Sequence, residues 1–373
     1  MNVCTLQSGE SSRVRGYKRK SKNRERVAGA RRLFKDYFAD SPVYNEHDFR
    51  RRFRMRRPLF LRIMEALQTN VPYFVQRRDA TGKLGLSSLQ KVMAAVRMFA
   101  YDVAGDAVDE YLRIGASTAL ECLKIFCRGM HEIFSEQYLR QPTSEDVARL
   151  NAENARRGFP GMLGSIYCMH WAWKNCPTAW AVQYQRCNND INVLERSNLF
   201  LNLAKGEAPP VQFEVNGNEY NMGYYFADGI YPSWAAFVKT IPRPLSQKHR
   251  IFARYQEGVR KDVERAFGVL QARWHIVRGS SRLWDPIDLD YIMKTYIILH
   301  NMIVEDGRED ILEDHDFPTR DDEHVSPNVV PSRDPTVKFN VFLKRRVSIR
   351  NRELHHNLQK DLIEHIWNLH GDA

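Results

Sequence analysis

The stretch VQFEVNGNEYNMGYYFADG, residues 211–229, decides the fold class of the second half of the chain. Asn216-Gly217 separates two runs of β-prone residues, and an Asn-Gly pair in that position predicts a hairpin because both central residues of its turn need positive φ. The second run ends in Ala227-Asp228-Gly229, so Asp228 should directly follow a strand. The region 158–304 is therefore predicted to mix short strands with helices.

The region before it has a different pattern. Leu59, Ile63 and Leu67 recur every four residues, and an apolar stripe runs from Leu89 to Phe99. This spacing is typical of amphipathic helices. Residues 31–141 are therefore predicted to form an all-helical domain.

Part of this helical region resembles a helix-turn-helix. Residues 106–112 form a short helical run, a link with Gly115 follows, and a second helix is predicted over 119–134. The lengths and the glycine turn suit that motif, which is one way to place a helix in DNA. Two helices packed around a glycine turn are also ordinary architecture, so both interpretations stay open.

Positive charge is concentrated near the amino terminus. The chain has 56 Lys and Arg against 45 Asp and Glu, a formal net charge of +11. Residues 13–32 are strongly basic, and residues 50–57 (RRRFRMRR) contain six arginines. Such runs favour phosphate contact or a nuclear localisation signal, and a solvated tail is the alternative. Residues 1–30 are predicted to be a basic disordered arm, and the protein is expected in the nucleus or the cytoplasm.

Neither membrane insertion nor secretion is indicated. No run approaches the roughly 20 apolar residues of a membrane helix, and the first residues are polar and basic. The six cysteines form no C-x-x-C pair, which suits reduced thiols inside a cell. We therefore expect an intracellular protein.

The remaining segments complete the predicted organisation. A helix is expected over 257–276, with Glu264 at the margin of its apolar face, and a buried helix over 293–304. An acidic, proline-containing loop is expected over 305–335. The C-terminal segment, 336–373, contains an amphipathic helix that either docks on the body of the protein or pairs with another chain.

Three carboxylates have contexts that suit a metal site. Asp190 follows an Asn-Asn pair, Asp228 ends a strand, and Glu264 projects from a helix. Hard divalent cations such as Mg²⁺ or Mn²⁺ need oxygen ligands, and a bound ion could activate water for phosphodiester cleavage. A turn at Asp228 and an ion pair of Glu264 with Arg260 or Lys261 are the structural alternatives.

Long motifs in the sequence resemble one family, the plant branch of the PIF/Harbinger transposases. The resemblance runs from about Phe34 to the end of the chain. Its most specific motifs are GSIYCMHWAWKNCPTAW (164–180), NNDINVLERS (188–197), NGNEYNMGYYFADGIYPSWAAFVKTI (216–241), RKDVERAFGVLQARW (260–274) and IILHNMIVED (297–306). The family implies a helical DNA-binding region followed by a ribonuclease-H-like core. In that core a D-D-E carboxylate set holds two divalent metals, Mg²⁺ or Mn²⁺, for cleavage and transfer of DNA at terminal inverted repeats. A Myb-like accessory protein is a further implied partner.

The resemblance assigns roles to individual residues. Asp228 matches the second catalytic aspartate and Glu264 the glutamate, while Asp190 matches a further acidic position treated as a metal ligand. The slot of the first aspartate, in a motif that reads S-I-D-C-M-H-W, holds Tyr167. A phenol with an ordinary pKa near 10 is neutral at pH 7 and is a poor ligand for Mg²⁺. The metal site is therefore predicted to be impaired.

A second departure from the family concerns its sheet. The family has about two core strands between the first motif and the NND motif, whereas here only Arg186-Cys187 separates Gln185 from Asn188. Missing strands remove ladder hydrogen bonds and part of a core, a loss larger than the roughly 5–15 kcal/mol stability of a domain unless neighbours rearrange. The expectation is an α/β core that lacks about two strands, with a distorted or poorly ordered sheet.

Two other clusters have competing interpretations. Cys168, His170, Cys176 and Cys187 lie within twenty residues and are of the type that binds zinc, but their spacing fits no usual zinc finger. The aromatic residues Trp171, Trp173 and Trp180 either pack inside the protein or stack on unpaired bases.

The sequence thus predicts a transposase-derived, metal-dependent DNA endonuclease whose own activity is lost. The first alternative is a catalytically inactive DNA-binding protein that uses the basic arm and the helix-turn-helix. The second is a degenerate product that does not fold stably.

Overall fold

The computed structural model describes residues 22–181, 190–195, 197–207, 209–313 and 335–371. The helices are α1 Arg26–Tyr37, α2 Glu46–Phe53, α3 Arg57–Asn70, α4 Ser88–Tyr101, α5 Asp109–Leu112, α6 Ala116–Tyr138, α7 Ser144–Arg156, α8 Asp190–Glu195, α9 Asn198–Lys205, α10 Gln247–Arg273, α11 Pro286–Glu313, α12 Pro335–Ile349 and α13 Arg352–His370, with 3₁₀ turns at Gly105–Val108 and His275–Val277. The strands are β1 Met162–Ser165, β2 Phe213–Val215, β3 Asn218–Tyr220, β4 Tyr224–Ala227 and β5 Phe237–Lys239. The protein is therefore a mixed α/β protein with small sheets.

Helices α1 to α6 share one apolar core. Helix α4 begins with a capping box, in which the Ser87 hydroxyl accepts from Gln90 N at 3.2 Å and the Gln90 side chain accepts from Ser87 N at 3.1 Å. Helix α6 is central, since its apolar face packs against both α4 and α11. This burial confirms the all-helical pattern of the amino-terminal region.

The core of this helical unit also takes in residues far along the chain. Leu270 and Trp274, from the end of α10, and Tyr296 and Leu299, from α11, are buried in it. The Trp274 ring lies 5.3 Å from the Phe99 ring in an edge-on arrangement. The helical unit therefore also contains residues from the region 158–304, which was predicted to be a separate domain of mixed strands and helices.

The main sheet has three parallel strands in the order β1-β4-β5. Strand β1 is an edge strand of this sheet among the described residues. Strands β2 and β3 form a separate antiparallel hairpin whose turn residues, Asn216 and Gly217, have φ of 52° and 83°. This geometry confirms the predicted Asn-Gly hairpin, and β4 ends one residue before Asp228 as expected.

Helix α13 covers the sheet. Leu358, Leu362 and Ile366 are buried in the core that contains the strands. The Asp361 carboxylate accepts from the Tyr220 hydroxyl at 2.6 Å and from Asn218 Nδ2 at 2.8 Å, which ties the hairpin to α13. Docking of the C-terminal helix on the body is therefore confirmed.

Several helix limits differ from those expected. Helix α10 begins ten residues before the predicted start at 257, because the Ser246 hydroxyl caps it by accepting from His249 N at 3.2 Å. Helix α11 continues to Glu313, so the first part of the predicted loop 305–335 is helical. Helix α1 starts at Arg26, inside the predicted arm 1–30. Residues 1–21 and 314–334, the rest of the predicted arm and loop, lie outside the described residues.

The region predicted to be a helix-turn-helix has the predicted order of a short helical run, a link and a long helix. Its first helix is a 3₁₀ turn followed by the four residues of α5, and its second helix, α6, starts at Ala116. Because α6 is packed between α4 and α11, much of its surface is unavailable to DNA.

Among the described helices, none is both long enough and apolar enough to cross a bilayer.

Candidate functional site

Tyr167 and Asp228 follow the carboxyl ends of the neighbouring parallel strands β1 and β4. Ser165 is paired with Phe226, and Ile166 N donates to the Phe226 carbonyl at 2.8 Å. Because the two strands are parallel neighbours, Tyr167 and Asp228 both leave the sheet at the same edge, two residues after the Ser165–Phe226 pair. Asp228 is exposed, and its carboxylate accepts from Gly229 N at 2.6 Å. The carboxyl end of a parallel sheet is the usual place for an active site.

Helix α10 lies along the segment that follows β1. The Tyr167 side chain is 44% exposed, and its ring lies 5.3 Å from the Phe267 ring. One turn further on, Gln271 Nε2 donates to Met169 Sδ at 3.4 Å. Glu264 precedes Phe267 by three residues and therefore lies on the same face of the helix. The helix thus carries Glu264 on the side that contacts the Tyr167 segment.

The Glu264 carboxylate already has a cationic partner. Arg260 Nη1 lies 2.7 Å from Glu264 Oε1, and Arg260 Nη2 lies 3.0 Å from Glu257 Oε2. The Arg260 side chain is only 9% exposed. Burial disfavours its charged form, but the two carboxylates outweigh burial and raise the pKa of Arg260. The ion pair that the sequence offered as an alternative for Glu264 is therefore present.

Asp190 and Asp228 lie in the surroundings of one tyrosine, Tyr231. Asp190 Oδ1 is 2.8 Å from His170 Nε2, and the Tyr231 hydroxyl donates to Cys168 Sγ at 3.1 Å. Burial raises the pKa of the Tyr231 phenol most strongly, followed by Cys168 and then by the charges of Asp190 and Asp228. The charges of these two predicted ligands therefore both act on Tyr231.

The predicted metal ligands do not converge into one set. Within the described part of the chain, no three His, Cys, Asp or Glu side chains are close enough to form a metal site. A neutral phenol stands at position 167, and Arg260 holds Glu264. As arranged, these residues do not fit a centre for two divalent ions. The assignment of Mg²⁺ or Mn²⁺ to Asp190, Asp228 and Glu264 stays a prediction.

The zinc interpretation receives no geometric support from the residues described. Cys168 Sγ accepts from Tyr231, and Cys176 Sγ lies 3.7 Å from the Pro177 carbonyl oxygen. His170 pairs with Asp190 instead of with a cysteine. Cys187 lies outside the described residues.

The tryptophans anchor the segment that follows β1. Trp171 Nε1 donates to the Gly279 carbonyl at 2.8 Å, and Trp173 Nε1 donates to the Leu283 carbonyl at 2.7 Å. Both carbonyl partners are more than 100 residues away along the chain, so no local sequence pattern could predict these hydrogen bonds. Trp180 is partly exposed, with its ring 6.2 Å from that of Trp173. Packing therefore accounts for Trp171 and Trp173, and base stacking stays a prediction.

Two residues of the site were not singled out from the sequence as part of it. Arg260 stands four residues before Glu264. This spacing on a helix suits an ion pair and could have identified Arg260 as the residue that binds the Glu264 carboxylate. Tyr231 stands three residues after Asp228, and nothing in its spacing indicates the contact with Cys168.

The fold and the site define a mixed α/β protein that presents acidic residues at the carboxyl edge of a small parallel sheet. Residues 136–188 and 185–311 match the family described as plant transposon protein, and residues 29–68 match a domain of unknown function. The first match supports a transposon-derived family for this chain. No curated protein and no solved structure matches it.

Proposed function

We propose that the protein derives from a PIF/Harbinger-type transposase, a metal-dependent DNA endonuclease and strand-transfer enzyme, and that its own catalytic centre is impaired. The register of β1 against β4 supports this proposal, because Tyr167 and Asp228 each follow the last paired residues of these strands, Ser165 and Phe226, by two positions. A carboxylate at position 167 would stand beside a second carboxylate, within reach of the helix that carries Glu264. That arrangement is what a D-D-E site needs.

The impairment follows from the chemistry of the residues present. In an intact centre, divalent ions polarise the phosphate and activate water or a hydroxyl group for attack. A phenol supplies no anionic oxygen at pH 7, and Glu264 is held by Arg260. No catalytic step through a metal is therefore assigned to this chain.

Two observations support the loss of core strands. The family match is broken into two pieces that meet at residues 185–188, the position where the strands were expected. Strand β1 also has a sheet partner on one side only within the described residues. An added pair of strands next to β1 would extend the sheet at this edge.

The proposed substrate is DNA at the terminal inverted repeats of a transposon. Nuclear localisation and a Myb-like accessory protein belong to the same proposal, and the basic runs of the amino-terminal region support the first of them.

The test compares the natural chain with Tyr167→Asp and with Tyr167→Asn. The second variant is the control, because asparagine is neutral and has the same size as aspartate. Cleavage of inverted-repeat DNA and thermal unfolding are both measured with and without Mg²⁺ or Mn²⁺. We expect only Tyr167→Asp to be stabilised by metal, by about 2.7 kcal/mol when the ion is at 100 times its Kd. Cleavage is expected once the missing strands are also restored.

Two results would contradict the proposal. Strong magnesium-dependent nicking by the natural chain would show that Tyr167 does not impair the centre. The absence of metal stabilisation in Tyr167→Asp would show that position 167 does not belong to a metal site.

The alternative is a DNA-binding protein without catalysis. It is favoured by Arg50 on α2 and by Arg54 at the end of that helix, which form no ion pair with a carboxylate among the described residues. It predicts salt-dependent retention of DNA in the presence of a chelator, with no cleavage by any variant.

A further inference from the structure

The Tyr101 hydroxyl donates to the Arg51 carbonyl at 3.1 Å, and the segments around this tyrosine carry four arginines, Arg50, Arg54, Arg97 and Arg273, which we call the arginine cluster. The guanidinium carbons of Arg54 and Arg97 lie 5.0 and 5.4 Å from the centre of the Tyr101 ring. Arg50 precedes Arg54 by one turn, since Arg54 N donates to the Arg50 carbonyl at 2.8 Å. Two guanidinium groups on one ring, with a third one turn away, repel each other, and an anion bound between them would reduce this repulsion.

Arg273 stands at the end of α10, two residues before His275, whose ring lies 6.4 Å from the Tyr101 ring, and it completes the cluster. It is half-buried, and burial followed by the charge of Arg50 lowers its pKa. Its Nη1 lies 3.3 Å from His300 Nδ1, and burial together with Arg273 lowers the pKa of His300, so the imidazole is a neutral acceptor. Within the described part of the chain, Arg273 therefore has a hydrogen-bond partner but forms no ion pair with a carboxylate.

The neighbouring arginines of the same stretch are paired, in contrast to the cluster. Arg51 lies 3.3 Å from Asp48, Arg57 lies 3.6 Å from Glu46, and Arg56 lies 2.6 Å from Asp306.

Among the described residues, none of the four cluster arginines forms an ion pair with a carboxylate. A partly buried cation without a partner is costly, so this arrangement is suited to an anion from outside the chain.

The properties of the cluster indicate which anion it takes. Guanidinium groups bind phosphate oxygens through two parallel hydrogen bonds, which a carboxylate on a flexible side chain matches less often in several places at once. Arg50 is exposed and Arg54, Arg97 and Arg273 are partly exposed, so the groups can be reached from the surface. Four charges from three helices are neutralised together by successive phosphates of one strand, whereas a single free phosphate satisfies only a part of them.

We propose that the arginine cluster binds the phosphodiester backbone of DNA. The choice of DNA rests on the proposed function, while the binding surface does not depend on any catalytic residue. Arg273 follows Glu264 by nine residues on α10, a distance of about 14 Å at 1.5 Å per residue. One turn of DNA is about 34 Å long, so a duplex held at the cluster also passes the carboxyl edge of the sheet.

The test measures binding of a labelled 30-base-pair duplex by the full chain in a chelator, over a series of salt concentrations. The variant Arg50→Gln/Arg273→Gln removes two charges from the cluster. The control Arg51→Gln/Arg265→Gln removes two charges from the same helices, at exposed arginines that pair with Asp48 and Asp262. Thermal unfolding without DNA checks that both variants are folded.

Each lost phosphate contact should reduce the slope of log K against log salt by about 0.9. We therefore expect the cluster variant to lose about 1.8 of that slope and about 60-fold in affinity at 0.1 M salt, with little change in the control. Equal losses in both variants would overturn the proposal. So would full competition by millimolar inorganic phosphate, or preference for polyglutamate over DNA.

The design separates this proposal from the proposed function. Binding is measured without metal and without turnover, so an inactive Tyr167→Asp variant would leave the cluster result unaffected. An unchanged salt slope in the cluster variant would contradict the arginine cluster but would not change the test of metal stabilisation in Tyr167→Asp.

Discussion

The contact between α6 and α11 depends on one buried carboxylate, and removing its charge gives a quantitative prediction. The Asp288 side chain is 2% exposed, and its two oxygens lie 2.7 Å from Lys124 Nζ and 2.7 Å from Arg128 Nη2. Both cations are on α6, one turn apart. The change Asp288→Asn keeps the size of the side chain and removes its charge.

The expected loss follows from the exposure of the partners. Removing one member of a buried ion pair costs about 3–5 kcal/mol because the remaining charge is left without compensation. Here the Lys124 and Arg128 side chains are 34% and 44% exposed, so both can turn partly into water. We therefore expect a loss of about 2–3 kcal/mol, less than for a fully enclosed pair.

Urea unfolding followed by tryptophan fluorescence measures this loss. Asp290→Asn is the matched control, because Asp290 lies two residues further on α11 in an exposed pair with Lys294, and it should cost less than about 0.5 kcal/mol. Asp288→Asn should also cost less when Lys124 and Arg128 are both replaced by Gln. An equal, small loss for Asp288→Asn and its control would refute the reasoning.

Three further changes test the two cores. Trp274→Ala should lower the free energy of unfolding by about 3–5 kcal/mol, measured by urea denaturation, because it leaves a cavity in the helical unit; an effect below 1 kcal/mol would contradict its burial. Asp361→Ala should cost about 1–2 kcal/mol and lower the pKa of Tyr220, which burial and Asp361 raise; ultraviolet titration of the phenol checks this. Burial also lowers the pKa of His355, whose Nδ1–H donates to the Phe237 carbonyl at 2.8 Å. The unfolded chain therefore binds the proton more tightly, so stability should fall below about pH 6.5. His355→Gln should reduce the loss of stability below about pH 6.5. An unchanged dependence of unfolding on pH in this variant would contradict the role given to His355.

Local patterns predicted local structure well. The Asn-Gly turn, the strand end before Asp228 and the docking of the last helix each follow from short-range periodicity or turn chemistry, and the structure contains all three. The start of α10 was misjudged because residues 247–256 are rich in charged and aromatic side chains and show no clear apolar stripe.

Contacts between distant segments were not predictable in the same way. The apolar pattern of α11 shows that the helix is buried, but it does not show that the partner is α6 and not the sheet. The hydrogen bonds of Trp171 and Trp173 to residues 279–283 are equally invisible in a linear pattern. At the candidate site, the resemblance to the transposase motifs indicated Tyr167, Asp228 and Glu264, whereas the pair of His170 with Asp190 depends on a fold that no spacing reveals.

Helix α10 belongs to both hydrophobic cores. Phe252 and Val259 near its start pack with the sheet, whereas Leu270 near its end packs with the helical unit. Its 27 residues span about 40 Å as one rigid rod. The chain therefore cannot be divided between the two cores. A fragment that ends before α11 would expose the apolar face of α6, and a fragment that begins after α10 would lack the helix that packs on the sheet. Proteolytic dissection of this protein should yield degradation rather than two stable halves.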